Sequence, residues 1–185
     1  MKKWLFNPFI YVAGWQALGL GLLLMAITCV IAFFSQTHFD GGIDVHFGAG
    51  FPLLVCALEQ LNAWLSTVIV FSAAGFILSK SAIRIIDIAG TMALARVPMI
   101  LAAVIGFVPA LHQVDLNHIS ANFLIWSLIA LLFSIWMIAL MYNAFTVSCN
   151  VKGNKAVVGF IVSIILAEIL SKIMIVQVYH HFLPK

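Results

Sequence analysis

Charge is what this chain of 185 residues has least of. Nine Lys or Arg and six Asp or Glu make up 8% of it, whereas a soluble domain carries about a quarter. So few charges cannot cover a water-facing surface, and no gap between the apolar runs is long enough to hold a soluble module. No basic cluster is interleaved with polar and aromatic residues, which argues against nucleic acid as a partner. The cysteines are Cys29, Cys56 and Cys149, with no CxxC or Cys/His spacing, which argues against a structural zinc site. Small buried apolar side chains are the preferred reading over a Cys29–Cys56 disulfide. The chain also lacks a Gly-rich phosphate loop, GxSxG, HExxH and paired intramembrane aspartates. No catalytic residue and no cofactor-binding residue is therefore expected, and the chain reads as non-enzymatic.

What is present is hydrophobicity: 64% of residues are apolar and the mean hydropathy is +1.17. A spanning helix needs about twenty apolar residues. Five runs qualify, roughly 15–34, 55–79, 88–111, 121–147 and 156–179. They predict an all-α, integral membrane five-helix transmembrane bundle, with residues 1–185 as a single transmembrane domain. Residues 4–14 gather Trp4, Phe6, Phe9 and Tyr11 around Pro8 behind Lys2 and Lys3. This reads as a short interfacial N-terminal segment, with aromatics at headgroup depth. The run from Trp15 to Phe34 is too long for the core of a signal peptide and is followed by no small-residue cleavage site.

The basic residues alternate between loops. They fall at Lys2–Lys3, from Lys80 to Arg96 and at Lys152–Lys155, while residues 35–50 and 112–120 hold none. The positive-inside rule then places the N-terminus in the cytoplasm and the C-terminus outside. The net charge of +3 lies mostly in the inner loops and suits anionic lipid headgroups, making the bilayer itself the expected partner.

Small residues recur every four positions in two spans: Ala13, Ala17 and Gly21 in the first, and Gly159, Ser163, Ala167 and Ser171 in the fifth. Such stripes let helix backbones approach closely. The partner is either another span or a second copy in a homo-oligomer, and the sequence leaves both open.

Ionisable residues inside spans are functional candidates by default. They are Glu59, Arg96, Glu168 and Lys172. Glu168 and Lys172 are spaced i,i+4 in the favourable acid-first order, and Glu59 lies at a similar depth in the second span. The three are expected to meet in the outer half of the bundle, as an ion or solute site or as a structural ion pair. Arg96 is followed by Pro98, which weakens the local helix. Two expectations follow: Arg96 snorkels to the inner headgroups, or residues 81–95 lie along the inner surface with a broken helix start. Arg84 and Asp87 are expected to pair at i,i+3. The outer loop THFDGGIDVHFG offers His38, Asp40, Asp44 and His46 as a candidate site for a divalent metal. His112, Asp115 and His118 in the second outer loop are the natural additional ligands.

The segments LFNPF (residues 5–9) and KSAIRIIDIAGTMALARVP (residues 80–98), with five spans in so short a chain, resemble the Yip domain family. These are small multi-span membrane proteins named for Ypt/Rab GTPase interaction in eukaryotes, with many bacterial members. The resemblance covers nearly the whole chain. It implies a five-span helical bundle and a role in membrane organisation or scaffolding, with no defined reaction. Eukaryotic members carry a longer cytosolic N-terminal segment; the short N-terminus and compact loops here fit a bacterial inner-membrane member. The alternative is a small-solute or ion transporter or channel component built on Glu59, Arg96, Glu168 and Lys172. A third reading is metal-dependent activity at the outer His/Asp loop.

Overall fold

The computed structural model describes residues 2–48, 50–112 and 119–182. The chain is an all-α bundle. Helix α1 (Lys2–Phe6) and a single 3-10 turn (Pro8–Ile10) precede α2 (Gly14–Ser35). A two-residue hairpin follows, β1 (Thr37–His38) and β2 (His46–Phe47), then α3 (Leu53–Leu78). The third span is split into α4 (Ile85–Ala95) and α5 (Pro98–Ile105), and the last two spans are α6 (Ala121–Cys149) and α7 (Asn154–Phe182). Five helical stretches are long and apolar enough to cross a membrane, counting Ile85–Ile105 as one. This is an integral membrane protein.

Local chemistry sets the helix ends. The Ser120 hydroxyl accepts from the Phe123 amide at 3.1 Å and caps α6, filling one of the donors a helix start leaves unpaired. Asn150 (φ 50°) closes α6, and Gly153 (φ 65°) turns the chain into α7. These left-handed positions favour Asn and Gly over bulkier residues. The third span ends at Ile105, and Pro109–Leu111 forms a separate 3-10 turn.

Two helix pairs make the frame. On one side α2 packs along α4 and α5. A β-carbon at Gly21 would lie 2.6 Å from the Ala93 side chain and 2.7 Å from the Leu94 amide, and one at Gly90 would lie 2.6 Å from the Gly14 carbonyl. Only hydrogen side chains permit that approach. On the other side α7 packs chiefly on α3. Ser163, Ala167 and Ser171 are all buried there, and a β-carbon at Gly159 would collide with Leu78. Both small-residue stripes therefore serve packing within the chain. An aromatic cluster ties α6 to the α3–α7 pair: the Phe71 ring on α3 lies 5.3 Å from that of Phe145 on α6 and 5.6 Å from that of Phe160 on α7.

Two sequence-based expectations for the third span do not hold. Helix α4 does not lie along the inner surface, because its residues from Ile88 to Ala95 are all buried between other helices. Arg96 does not snorkel to headgroups, being 3% exposed. Pro98 lacks the amide needed to continue the ladder. The chain bridges the gap with tighter i to i−3 bonds, Arg96 N to Ala93 O and Val97 N to Leu94 O. The span is kinked at its centre rather than broken at its start. The cysteines are all buried and free. Arg84 and Asp87 do pair, at 3.6 Å.

Candidate functional site

The loop between α2 and α3, expected from the charges to be an outer one, does not stay outside the bundle. Gln36 adopts a left-handed conformation (φ 52°) and ends α2. The chain then forms the hairpin, with Thr37 opposite Phe47 and His38 opposite His46, and the seven residues between the strands plunge inward. Phe39 is 1% exposed. A β-carbon at Gly42 would lie 3.5 Å from the Thr67 side chain, just past the centre of α3, and one at Gly41 would collide with the Glu168 carboxylate. Glu168 is the central residue of α7. Irregular backbone at such depth requires protein partners for its polar groups. It has them: the Gly42 amide donates to Ser171 Oγ at 3.1 Å and the Ile43 amide to Glu168 Oε2 at 3.1 Å. Arg96 Nη1, at the kink of the third span, donates to the Gly42 carbonyl at 3.0 Å.

Lys172 meets three carboxylates here, two of them from the loop itself. Its ammonium lies 2.7 Å from Asp44, 2.9 Å from Asp40 and 3.9 Å from Glu168. The i,i+4 partner read from the sequence is thus the weakest of the three. His46 Nδ1 meets Asp40 at 2.9 Å. Burial would raise the Asp40 carboxyl, but hydrogen bonds from His46 and Lys172 outweigh it and hold its pKa down at about 2. The Asp40 hydrogen bond in turn raises the His46 pKa, against the opposing effect of burial. A cleft of about 500 Å³ between the loop and α6 reaches this cluster, lined by Asp44, His46, Ser127 and Ser134 among apolar residues.

Glu59 does not join Glu168 and Lys172. It forms a separate, drier group nearer the start of α3 and the end of α7. Its carboxylate accepts from Tyr179 Oη at 2.6 Å and the Phe39 amide at 3.2 Å, and its Oε1 is 3.2 Å from His38 Nδ1. The four loop residues read as one metal set are therefore divided. His38 belongs with Glu59 and Cys56, while Asp40, Asp44 and His46 stand together. In the second group Lys172 lies between the two aspartates, where its ammonium supplies the positive charge that a metal would bring. His112 Nε2 donates to the Gly106 carbonyl, at the end of α5, at 2.6 Å. Asp115 and His118 lie outside the described residues.

Sequence reasoning missed Tyr179, and read Ser171 only as a packing residue and Asn62 only as an interfacial neighbour of Glu59. Asn62 Nδ2 donates to the Ser171 carbonyl at 2.9 Å, bracing α3 against α7 beside the loop tip. A polar triplet at Glu59, Gln60 and Asn62 was the available signal, since only a polar neighbour satisfies such groups in a span. Several buried polar atoms have no hydrogen-bond partner among the described residues: Arg96 Nε and Nη2, both polar atoms of Gln60, Asn62 Oδ1 and Glu168 Oε1. Comparison with protein-family models, with curated proteins and with solved structures finds no match for this chain.

Proposed function

We propose that this is a non-enzymatic membrane protein that binds and passes a small ion or polar solute through the loop-capped centre of its bundle. The observation that carries the reading is Arg96. It is a guanidinium at mid-bundle with one hydrogen bond to the loop tip and two nitrogens, Nε and Nη2, without a partner among the described residues. Unpaired buried donors are costly, and an intramembrane charge is by default a functional group. A kinked span and irregular backbone meeting at mid-membrane is the arrangement transporters use to expose polar backbone to a bound solute. Asp40, Asp44 and Glu168 outnumber Lys172 in the adjoining cluster, which favours a cation or a proton as the coupled species. The test is flux in proteoliposomes, with protons, sodium, potassium, chloride and small carboxylates offered in turn. Wild type is expected to carry one of them and Lys172→Gln to lose it. No flux of any of these in wild type removes the basis of the reading.

A membrane-organising role, as the Yip resemblance implies, is favoured by a different observation. The N-terminal lead-in is fixed against α6, with Trp136 Nε1 donating to Leu5 O at 3.0 Å and Asn143 Nδ2 to Phe6 O at 2.9 Å. Trp4, Leu5, Phe6, Ile10 and Tyr11 all remain about half exposed. A held, apolar, aromatic arm suits insertion at headgroup depth. Removing its aromatics should change the size of vesicles formed at high protein-to-lipid ratio; unchanged vesicles count against this role.

A further inference from the structure

We propose that His38, Cys56 and Glu59 form a zinc-class metal site, separate from the loop-capped centre and independent of whether the protein carries a solute. One ligand atom from each of the three lies within 4.8 Å of the other two, as the corners of one coordination sphere do. Cys56 and Glu59 stand one turn apart on α3, so their side chains share a helix face. His38 is delivered from β1. All three residues are buried. A thiol, an imidazole and a carboxylate together suit zinc and its late first-row neighbours, not calcium or magnesium, which take oxygen donors.

Charge supplies the second argument. Glu59 is 1% exposed within a spanning helix, and among the described residues its only ion-pair partner is His38. Its other two hydrogen bonds come from neutral donors, Tyr179 and the Phe39 amide. Neither Arg96, whose one hydrogen bond goes to the loop tip, nor Lys172, paired with Asp40 and Asp44, makes an ion pair with Glu59 among the described residues. A divalent cation would compensate the carboxylate, and Tyr179 and the Phe39 amide would then orient it as outer hydrogen-bond partners do at metal sites. The Phe51 ring packs 4.2 Å from that of His38 and 5.4 Å from that of Tyr179, walling the site with an apolar face. Binding would replace the Cys56 S–H bond by a metal–thiolate bond and release that proton to solvent. Three protein donors leave the fourth corner of a tetrahedron for water or another ligand.

The test uses the full-length protein in mild detergent, loaded with zinc chloride and dialysed into metal-free buffer. Elemental analysis should find about one zinc per chain in wild type. Cys56→Ser and His38→Ala should lose it, whereas the double variant Asp40→Asn, His46→Ala should keep it. Cobalt loading of wild type should give a thiolate-to-cobalt charge-transfer band that Cys56→Ser lacks. If Cys56→Ser or His38→Ala fails to elute as a single folded species, the cobalt band of wild type decides alone. Wild type without zinc or without that band overturns the proposal. So does zinc that survives in Cys56→Ser but is lost from the Asp40, His46 variant.

Discussion

Arg96 Nη1 donates a 3.0 Å hydrogen bond to the carbonyl oxygen of Gly42. It ties the kink of the third span to the tip of the loop between α2 and α3, residues that stand far apart along the chain. Removing the guanidinium strands the Gly42 carbonyl in a buried place, a loss of roughly 1–3 kcal/mol. Arg96→Met keeps most of the volume and deletes the donor. The amides of residues 39–45 are then expected to exchange with solvent about tenfold faster or more, because the loop opens locally more often. Exchange unchanged from wild type would mean that Ser171 and Glu168 hold the loop without Arg96.

Gly41 tests the depth of the loop more directly. A β-carbon there runs into the Glu168 carboxylate, while one at Gly48 meets nothing within 4 Å. The Glu168 carboxylate can move aside only by giving up its bond from the Ile43 amide, so Gly41→Ala should cost about 1 kcal/mol. Gly48→Ala should stay within about 0.5 kcal/mol of wild type. Thermal unfolding in detergent compares them. Equal melting of the two variants would place the loop tip away from α7.

The contrast between spans and loop shows what the sequence made legible. The five helices stand out because about twenty apolar residues in a row have few other uses. The stripes Ala17–Gly21 and Ser163–Ala167–Ser171 were also readable as packing faces, though not whether they faced a span or a second copy. The position of the loop was not readable. His38, Asp40, Asp44 and His46 look like one symmetric set in sequence, but β1 turns His38 toward Glu59 and the two glycines carry Asp40 and Asp44 to Lys172. Hydropathy reports where a segment can sit, not which polar partner will draw an irregular loop inward. The i,i+4 rule for Glu168 and Lys172 failed as the leading contact because long-range aspartates lie closer to the ammonium than its own helix neighbour does.

The Asp40–His46 pair predicts how stability depends on pH. The His46 pKa is raised in the folded state. Its contribution is thus complete below the ordinary value of 6.5 and fades as pH rises through the raised one. Asp40 is lowered to about 2 from 3.8. Its contribution is present above 3.8 and fades as pH falls toward 2. The wild-type melting temperature should fall on going from pH 6 to pH 9, and by less in His46→Ala. The His46 side chain is 56% exposed, so the difference should be small and shrink further in high salt. Parallel curves for the two proteins would show that the pair does not couple to folding.

Helices α2 and α4 approach so closely that Gly21 faces the Leu94 backbone. The atoms a larger residue would meet are not flexible side-chain ends but the Leu94 amide and the Ala93 carbonyl carbon, at 2.7 and 2.8 Å. Backbone cannot step aside cheaply. Gly21→Val should therefore lower stability by at least the 1–3 kcal/mol of ordinary overpacking. Gly19→Val, on the same helix with open space around it, should have little effect. Similar losses at both positions would point to helix propensity rather than the α2–α4 contact.

The orientation expected from the basic residues is tested with a probe outside the core. Cys149 cannot serve, because it is fully buried. Lys152 sits exposed between α6 and α7, and Ile119, also exposed, lies just before the start of α6. The two positions flank opposite ends of α6, so they must lie on opposite sides of the membrane. In a variant with all native cysteines replaced by Ser, Ile119→Cys should react with an impermeant maleimide on intact cells. Lys152→Cys should react only after permeabilisation. The reverse pattern would put Lys80, Lys152 and Lys155 outside. The positive-inside rule would then have failed for this chain, and the loop carrying Asp40 and Asp44 would enter the bundle from the cytoplasmic side.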